Sequence, residues 1–391
     1  MKKITLNTIR SQNIKMVFDI IANQDKITRN EIAKLSNLSL MTVSNIVEHL
    51  DRFDLILHDS KEQTSMVGRK AELLSIKKGS KKFIIIDLTS LKFSFVVLNL
   101  DLAVHYSFNK WRYQAKDSYQ DNLGDFLSVI KEYIHTTSFV SDIIGIGVSV
   151  PGPYDVNDDI VISKRIQALM EIRLKSSISS IILDNMLVDC DIFIDEDVKF
   201  AALANMMRVP EYRNKTIYYA YIGEGVGGAI SVNGNILRGA SSFAGDMGQV
   251  LVNENTNFEE LLSAVAFANE MLGSDNTIGY IGDDVDFMEM LKVFQADHPD
   301  KFNKQFEKYC KFIALALYNV IWFIDPHAMI IECEYAGLNG EGFLECLNTM
   351  LSQMLPIRHT IPDILLSNQS IKDANIGAGI KLRNKWLESI S

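Results

Sequence analysis

One turn in the second half of the chain is crowded with glycine. Residues 223–228 include four glycines, and they lie between the strand-like runs 217–222 and 229–232. A backbone without side chains approaches a bound group closely and directs its N–H groups at it, and in many proteins that group is a phosphate. The same pattern also suits a tight turn between two antiparallel strands that bind nothing. Residues elsewhere in the chain must decide between a phosphate loop and a plain turn.

Acidic side chains form a second group that could do chemistry. Three consecutive acids, Asp195, Glu196 and Asp197, precede a helical stretch. Carboxylates in a cleft suit hydroxyl groups, which both donate and accept hydrogen bonds. The alternative is structural, because acids at a helix N-terminus cap it and interact favourably with its dipole. The residue types alone therefore leave open a hydroxyl-binding cleft and a capped helix.

The length and composition of the chain are those of a soluble globular protein with two or three domains. It has 391 residues, of which 47% are hydrophobic and 23% are charged. The N-terminus lacks a signal-peptide pattern, and the longest apolar run, 312–324, is too short to cross a bilayer. The four cysteines form no Cys-x-x-Cys pair, so structural thiols are expected instead of disulfides or zinc ligands. We therefore expect a cytoplasmic protein without membrane contact.

Charge is distributed unevenly along the chain. Residues 1–82 carry 15 basic and nine acidic side chains, a net charge of +6, whereas the rest carries 24 basic and 40 acidic side chains, a net charge of −16. A basic segment on an acidic body suggests that only the N-terminal part meets a polyanion.

The N-terminal segment has the pattern of a helix-turn-helix. Apolar residues recur at helical spacing in 10–22, Thr28 and Glu31 can form a capping box, and Ser39 can cap a third helix. Two short helices joined by a tight turn are typical of a unit that reads DNA with its second helix. The alternative is a three-helix packing unit without DNA contact. The side chains expected to reach base edges and phosphates are Thr28, Arg29, Ser39, Thr42, Ser44 and Asn45.

A wing is predicted after the third helix. The strand-like runs 55–58 and 71–76 flank the polar tip 59–64. Arg69 and Lys70, at the base of the wing, are expected to touch the phosphate backbone or enter a minor groove.

These first 80 or so residues resemble the winged N-terminal domain of repressors in the ROK family (repressors, open reading frames and sugar kinases). The resemblance rests on the segments TRNEIAKLSNLSLMTVSNIVEHLDRFDLI and GRKAELLSI. It implies a winged helix-turn-helix DNA-binding domain over residues 1–77. A polar, basic linker is expected over residues 78–82.

The rest of the chain is similar to the same family. Three strand-like runs between residues 83 and 106, a helix over 122–135 and a strand over 143–150 resemble the start of one lobe, and a second such series begins at Thr216. Four segments match in the family's order: GIGVSVPGPYD, IDEDVKFAALANMM, the glycine-rich stretch through RGASSFAGDMGQ, and WFIDPHAMII.

This resemblance implies an α/β fold for the effector domain, 83–391, with the two lobes of the actin-like, sugar-kinase (ribonuclease H-like) architecture. The first lobe would comprise about 83–200 together with a C-terminal helix, 374–391. The second lobe would comprise about 201–373. Such a layout places a ligand cleft between two α/β lobes.

The nucleotide-binding segments of a ROK kinase are damaged in this chain. The first loop keeps Asp87 but has Thr89 and Ser90 where the family usually has glycines. The second loop has Glu224 where the family usually has threonine, and a carboxylate about 4 Å from a phosphate costs about 4 kcal/mol at an effective dielectric constant of about 20. The late segment, 332–337, also gains charge and bulk. The resemblance therefore implies that kinase chemistry is lost.

The sugar-facing positions are better preserved. Asp197 matches the family's catalytic aspartate and is interpreted as vestigial, and Lys199 replaces an asparagine and could pair with a neighbouring acid. The family's cysteine cluster is missing and its histidine is replaced by Gln249, so neither a metal nor a cofactor is expected. The residues expected to bind a ligand are Glu196, Asp197, Asp246, Gln249 and Glu259.

The sequence therefore predicts a DNA-binding transcriptional regulator, most simply a repressor, whose inactive sugar-kinase-like domain senses a sugar or sugar derivative. It would bind operator DNA as a homodimer or tetramer and act in carbohydrate metabolism. Two alternatives stay open. One is an active ATP-dependent sugar kinase with an appended DNA-binding domain, and the other is a regulator that is switched by a protein partner.

Overall fold

The computed structural model describes residues 6–60, 72–183, 190–212, 214–272, 287–338, 340–356, 359–367 and 373–391. Its helices are α1 (Leu6–Ala22), α2 (Arg29–Ser36), α3 (Leu40–Arg52), α4 (Tyr119–Thr136), α5 (Leu174–Ile182), α6 (Asp197–Met207), α7 (Phe258–Leu262), α8 (Ala264–Leu272), α9 (Phe287–Asp297), α10 (Pro299–Ile324), α11 (Gly340–Met354) and α12 (Asp373–Ser389). Within these ranges, no helix combines the length and the apolar character that crossing a membrane requires.

The strands of the described ranges fall into two five-stranded sheets and three two-stranded ones. They are β1 (Ile56–Ser60), β2 (Glu72–Ile76), β3 (Lys82–Asp87), β4 (Ser94–Asn99), β5 (Val104–Phe108), β6 (Ile143–Val150), β7 (Tyr154–Asp155), β8 (Ile160–Val161), β9 (Asp191–Glu196), β10 (Thr216–Ile222), β11 (Val226–Val232), β12 (Asn235–Leu237), β13 (Leu251–Asn253), β14 (Thr256–Asn257), β15 (Ala328–Cys333) and β16 (Asp363–Leu366).

The N-terminal helices and the hairpin form a winged helix-turn-helix, as predicted. Thr28 and Glu31 complete the capping box of α2, and Ser39 caps α3 through the N–H of Thr42. Asn37 ends α2 in the left-handed conformation (φ 56°), which asparagine tolerates better than most residues. The wing strands β1 and β2 pair antiparallel. Arg69 and Lys70 lie outside the described residues, so their predicted DNA contact stays a prediction.

The two large sheets share one strand order. The first runs β5-β4-β3-β6-β9 and the second runs β12-β11-β10-β15-β16. In each sheet the first three strands form an antiparallel meander, and the central strand pairs parallel with the next one, β3 with β6 and β10 with β15. The central strands are almost wholly buried because both their faces are covered. This repeat confirms the predicted α/β, two-lobed sugar-kinase-like fold.

The described chain divides into two compact units. Unit 1 comprises residues 1–195 and 378–391, and unit 2 comprises residues 196–377. The boundary between the units lies at 195/196, and α12 begins in unit 2 and ends in unit 1. The predicted bounds of the domains and lobes stay a prediction. The expected linker, 78–82, is a hydrogen-bonded turn whose last residue, Lys82, is buried in β3.

The turn within the glycine-rich segment 223–228 contains fewer residues than the sequence suggested. Strand β11 begins at Val226 and not at Ala229, so Gly227 and Gly228 are strand residues. A Cβ atom at Gly228 would overlap the hydroxyl of Tyr218, which donates a hydrogen bond to the Gly245 carbonyl at 2.7 Å. Gly228 therefore serves packing inside unit 2, and only residues 223–225 form the turn.

Candidate functional site

The junction between β9 and α6 carries two of the predicted ligand residues. Asp197 is buried as the first residue of α6, and its Oδ1 accepts a hydrogen bond from the Val198 N–H at 2.8 Å. Glu196 holds the N-cap position but makes no side-chain cap hydrogen bond. Instead, Glu196 Oε2 lies 2.5 Å from Lys199 Nζ. The capping alternative therefore describes part of the role of Asp197 and does not describe Glu196.

The ammonium group of Lys199 is buried and offsets part of the negative charge at this junction. The Lys199 side chain is 1% exposed, and it also donates to the carbonyl oxygen of Ser242. Ser242 has a φ of 64°, a left-handed conformation that costs energy for a residue other than glycine. Lys199 thus holds the segment that precedes Asp246 against α6. The predicted pairing of Lys199 with a neighbouring acid is confirmed.

Asp246, Gln249 and Glu259 are brought together in unit 2. Asp246 Oδ1 accepts a hydrogen bond from the Gly248 N–H at 3.1 Å, and Gln249 Nε2 donates to Glu259 Oε2 at 2.7 Å. Burial, followed by the charges of Glu196 and Glu259, raises the pKa of Asp246 to about 6. The mutual influence of these acids places Glu196 in the same cluster. The cluster combines carboxylates with an amide, which suits the hydroxyl groups of a sugar.

No metal centre accompanies this cluster in the part of the chain that the structure describes. No three or more His, Cys, Asp or Glu side chains are grouped there in a way that could hold an ion. Gln249, at the position of the family's histidine, uses its amide to bind Glu259.

The remaining turn of the glycine-rich segment is filled by side chains. A Cβ atom at Gly223 would overlap the hydroxyl of Tyr221 and the Oε1 atom of Glu334, which are hydrogen-bonded to each other at 3.0 Å. The N–H of Gly223 donates to the carbonyl oxygen of Gly225 at 2.9 Å. A carboxylate and a phenol therefore lie beside the backbone where a phosphate would have to approach. The sequence did not reveal this contact, because Tyr221 reads as an ordinary strand residue.

The first loop, in unit 1, is closed on itself. Asp87 Oδ1 accepts hydrogen bonds from the Thr89 N–H at 3.0 Å and from the Thr89 hydroxyl at 2.7 Å. Burial raises the pKa of Asp87. Asp87 and Thr89 thus close a short side-chain turn at the position of the predicted first loop.

Glu332 lies in the interior of unit 2 and not on a nucleotide-facing surface, as its place in the late segment had suggested. It is 6% exposed, and its Oε2 accepts a hydrogen bond from the Tyr219 hydroxyl at 2.5 Å. Burial raises the pKa of Glu332 to about 7, with Asp373 and Glu334 acting in the same direction. Glu332 is therefore close to half-protonated at neutral pH.

Two of the predicted DNA-binding residues are engaged inside the head. Thr28 is 8% exposed, and its hydroxyl donates to Glu31 Oε2 at 2.7 Å in the capping box. Arg29 forms an ion pair with Glu72 of the wing strand β2, and this pairing lowers the pKa of Glu72. Both residues shape the head, and their predicted contact with DNA stays a prediction.

The first turns of α3 present the outward face of the head. Asn45 is exposed, Ser44 and Thr42 are partly exposed, and the Ser39 and Thr42 hydroxyls lie 2.8 Å apart. Two apolar residues on this face, Leu40 and Met41, are 48% and 76% exposed and were not among the predicted DNA-binding residues. Apolar side chains at such positions contact thymine methyl groups in a major groove. Their position directly after the Ser39 cap was the available signal.

A basic groove adjoins this face. It has a volume of about 490 Å³ and lies between α1 and α3. Thr42 and Asn45 line it together with the basic residues Arg10 and Arg52, with His49 and with one acidic residue, Glu48. Guanidinium groups beside a recognition helix suit the phosphate backbone of DNA.

Replacement of Lys199 by methionine is expected to destabilise unit 2. It would leave the partly buried Glu196 carboxylate near Asp246 and Glu259 without the Lys199 cation. Removing one partner of a buried pair costs about 3 to 5 kcal/mol, and the 13% exposure of the Glu196 side chain places this loss near the lower figure. The loss should be largest at pH 8 and smaller at pH 5, where Asp246 is mostly protonated. Urea unfolding at both pH values measures it.

The control for this substitution is Lys308→Met, which breaks an exposed pair with Glu270. Because exposed pairs contribute little, Lys308→Met should cost less than about 1 kcal/mol. Equal losses in the two variants would contradict the role given to Lys199.

The fold and the site together define a winged helix-turn-helix protein with a sugar-kinase-like domain. The chain belongs to the ROK family, whose model matches residues 83–383. The family membership expected from the sequence is thereby confirmed.

Several known proteins resemble the chain over much of its length. The xylose repressor of Staphylococcus xylosus is 22% identical over 345 residues, which cover 84% of this chain and 83% of that protein. The xylose repressor of Bacillus spizizenii is 25% identical over 252 residues, which cover 63% of this chain. The chain thus spans 62% of the Bacillus protein, less than two thirds of its length.

Solved structures resemble the fold as well. A ROK family transcriptional regulator, described as a homolog of the E. coli MLC protein, superposes with a TM-score of 0.72 at 18% identity, and the match covers 98% of this chain and 97% of that one. A ROK hexokinase from Thermus thermophilus superposes with a TM-score of 0.59 at 17% identity, over 76% of this chain and 97% of that one. The first match thus extends over nearly the whole chain, and the second over about three quarters of it.

Proposed function

We propose that this protein is a transcriptional repressor that binds operator DNA through its winged helix-turn-helix and responds to a sugar. The observation that carries the proposal is the exposed start of α3, where Leu40, Met41 and Asn45 face outward beside the basic groove. Relatives that bear the name xylose repressor support it. The +6 charge of residues 1–82 also suits a polyanionic partner.

The proposed effector is a sugar or sugar derivative held by the acidic cluster of unit 2, which comprises Glu196, Asp197, Asp246, Gln249 and Glu259. Carboxylates and an amide hydrogen-bond to hydroxyl groups without needing a metal. Xylose is the first sugar to test, because the relatives carry its name. A ligand that binds the folded state raises the melting temperature by mass action, so a thermal-shift series over xylose and other sugars measures this binding.

The protein is proposed to act without phosphoryl transfer. The Tyr221 hydroxyl and the Glu334 carboxylate lie against Gly223, and Glu224 adds a further negative charge to the same loop. The competing function, an ATP-dependent sugar kinase, draws support from the buried Asp197 at the start of α6. A coupled assay of ATP turnover with a sugar panel separates the two. Sustained turnover that disappears in Asp197→Asn would overturn the proposal.

A homodimer or tetramer is proposed as the DNA-binding species. Paired heads read half-sites about 34–36 Å apart, which requires at least two copies of the chain. Exposed apolar side chains at the end of α10 support self-association, since Trp322 and Phe323 are 52% and 88% exposed. Phe323 also lines a largely apolar cavity of about 360 Å³ in unit 2.

Asn45→Ala is expected to weaken operator binding about tenfold to a hundredfold, because loss of a good base contact costs about 1 to 3 kcal/mol. Fluorescence anisotropy with DNA from upstream of the protein's own gene, at several salt concentrations, measures the affinity. Arg10→Ala should instead weaken binding to all sequences and reduce the salt dependence.

A control is available in unit 2, far from the head along the sequence. Lys292→Ala, in unit 2, should leave the DNA affinity unchanged, because this lysine is remote from the head in the sequence and pairs with Glu289 on α9. If the unaltered protein shows no salt-dependent binding to this DNA, the proposed function is wrong.

A further inference from the structure

The row of side chains that the wing hairpin turns toward the helices of the head changes from apolar to charged along the strands. In the pairing of β1 with β2, Ile56 lies opposite Ile76 and His58 lies opposite Leu74. Ile56, Leu74 and Ile76 are buried in the core of the head. Side chains two residues apart on a strand share one face, so His58 and Glu72 continue this row beyond the buried part.

His58 lies between two carboxylates that belong to different elements. Its Nδ1 atom is 2.9 Å from Oε1 of Glu72 on β2, and its Nε2 atom is 3.1 Å from Oδ1 of Asp51 on α3. A neutral imidazole has one N–H group and can donate to only one of these oxygens, whereas the imidazolium donates to both. The two distances therefore fit the protonated ring, which joins the hairpin to the last turn of α3.

This ring is part of a chain of four charged side chains between the hairpin and the helices. Arg29, the first residue of α2, forms an ion pair with the second oxygen of Glu72. We call Asp51, His58, Glu72 and Arg29 the seam. Their side chains are 27% to 49% exposed, so water screens each pair and the seam is a modest tie. The seam has no net charge when His58 is protonated and a charge of −1 when His58 is neutral.

The protonation of His58 changes close to neutral pH. Burial lowers the pKa of His58, but the hydrogen bonds and charges of Asp51 and Glu72 outweigh burial and raise it above the ordinary 6.5. The tie is therefore complete below pH 6.5 and is lost as pH rises through the higher pKa of the folded state. The charged groups around the ring are Asp51 of α3, Glu72 of β2, Arg29 of α2, and the neighbouring pair of Lys26 with Asp59 of β1.

We infer that His58 is a positioning residue for DNA binding, which as an imidazolium ties the wing hairpin to the recognition helix α3. This inference rests on the proposed function. Strands β1 and β2 flank the segment of the sequence that contains Arg69 and Lys70, the residues predicted to contact the DNA backbone. Helix α3 carries residues predicted to contact bases. A tie between the hairpin and α3 holds both sets of contacts in the arrangement that binding requires, which lowers the cost of ordering them on DNA. Operator affinity should therefore fall as His58 loses its proton.

NMR of the nitrogen-15-labelled histidine rings tests the tie in the full-length protein without DNA. The His58 signal is the one that is missing from His58→Gln, and it should titrate above pH 6.5. Asp51→Asn should lower the pKa of His58, because the ring loses a charged acceptor. Asp54→Asn is the matched control, since Asp54 pairs with Lys77 and should leave this pKa unchanged. If His58 titrates at or below pH 6.5, or if both variants change its pKa equally, the tie is wrong.

The pH profile of operator affinity tests the effect of the tie on DNA binding. Fluorescence anisotropy at constant salt, with DNA from upstream of the protein's own gene, measures it. His58→Gln should bind about threefold to fivefold more weakly than the unaltered chain at pH 6 and equally at pH 8, because screened pairs supply up to about 1 kcal/mol. Other titrating groups, such as His49 in the basic groove, act in both proteins and cancel in this comparison. His58→Lys keeps a cation at pH 8 and should restore the affinity there.

Asp51→Asn separates a positioning role from a direct contact of His58 with phosphate. If the imidazolium only supplied positive charge to DNA, removal of a neighbouring carboxylate would strengthen binding at every pH. Positioning predicts that Asp51→Asn binds more weakly than the unaltered chain at pH 6 and has a flatter pH profile, while Asp54→Asn keeps the full pH effect. Stronger binding by Asp51→Asn, or an unchanged pH profile in His58→Gln, would overturn the inference. If the unaltered chain binds no DNA, the proposed function and the positioning role are both wrong, and the ring titration still decides whether the tie exists.

Discussion

Gly377→Ala is expected to cost unit 2 at least about 3 kcal/mol of folding free energy, because inserting a group into a packed contact forces backbone shifts. The added methyl group would meet the backbone carbonyl of Phe200, which cannot rotate away as a side chain could. Helices α6 and α12 would have to separate. Urea unfolding followed by far-ultraviolet circular dichroism measures the loss.

A glycine-to-alanine substitution in another helix should have the opposite effect on the folding free energy. Gly124, within α4, has no atom within 4 Å of the place where a Cβ atom would stand. Gly124→Ala should therefore stabilise the protein by about 0.5 to 1 kcal/mol, the difference in helix propensity. A loss of similar size in both variants would show that α12 does not approach α6 as closely as described.

Glu332→Gln is expected to stabilise the protein at pH 8 by about 3 kcal/mol, since one pKa unit corresponds to 1.36 kcal/mol. The pKa of Glu332 is raised from an ordinary 4.5 to about 7 in the folded protein. The folded state therefore binds more protons than the unfolded state between these pH values, and stability from this group falls as pH rises from about 4.5 to about 7. Glutamine removes this loss and still accepts the hydrogen bond from Tyr219.

The pH dependence of stability distinguishes the removal of the Glu332 charge from a pH-independent effect of the substitution. At pH 4.5 the variant and the unaltered protein should be equally stable, and the difference should grow up to pH 8. Glu289→Gln, on an exposed part of α9, should change stability by less than about 0.5 kcal/mol at every pH. A destabilised Glu332→Gln at pH 8 would mean that the buried carboxylate is charged and paired after all.

Much of the fold could be predicted because helix caps, apolar periodicity and turn residues are visible within short stretches of the sequence. The capping box at Thr28 and the alternation of apolar strands with turns predicted the winged helix-turn-helix and the α/β fold of the remaining chain. The predicted end of the glycine-rich turn was wrong. Gly227 and Gly228 have the residue type of a turn, but in the structure they are tightly packed residues of strand β11. Only the distant hydroxyl of Tyr218 and the carbonyl of Gly245 make glycine necessary at residue 228.

The residue types of the candidate site could be predicted from the sequence, but most of the contacts between these residues could not. The pairing of Lys199 with a neighbouring acid follows from their spacing on one helix, and it was anticipated. The contact of Tyr221 with Glu334 joins residues that are 113 positions apart, so no local pattern contains it. The burial of Glu332 was missed for the same reason: its partner Tyr219 is on another strand.

The filled turn at Gly223 has a thermodynamic consequence for how such a regulator would work. If the protein hydrolyses no nucleotide, as we propose, it has no energy input, and the occupancies of its sites relax to equilibrium. The binding of effector and operator must then be reciprocal. If the sugar changes the affinity for DNA by some factor, the DNA changes the affinity for the sugar by the same factor. Removal of the sugar alone would restore the original occupancy, with no reset reaction and no memory of the earlier state.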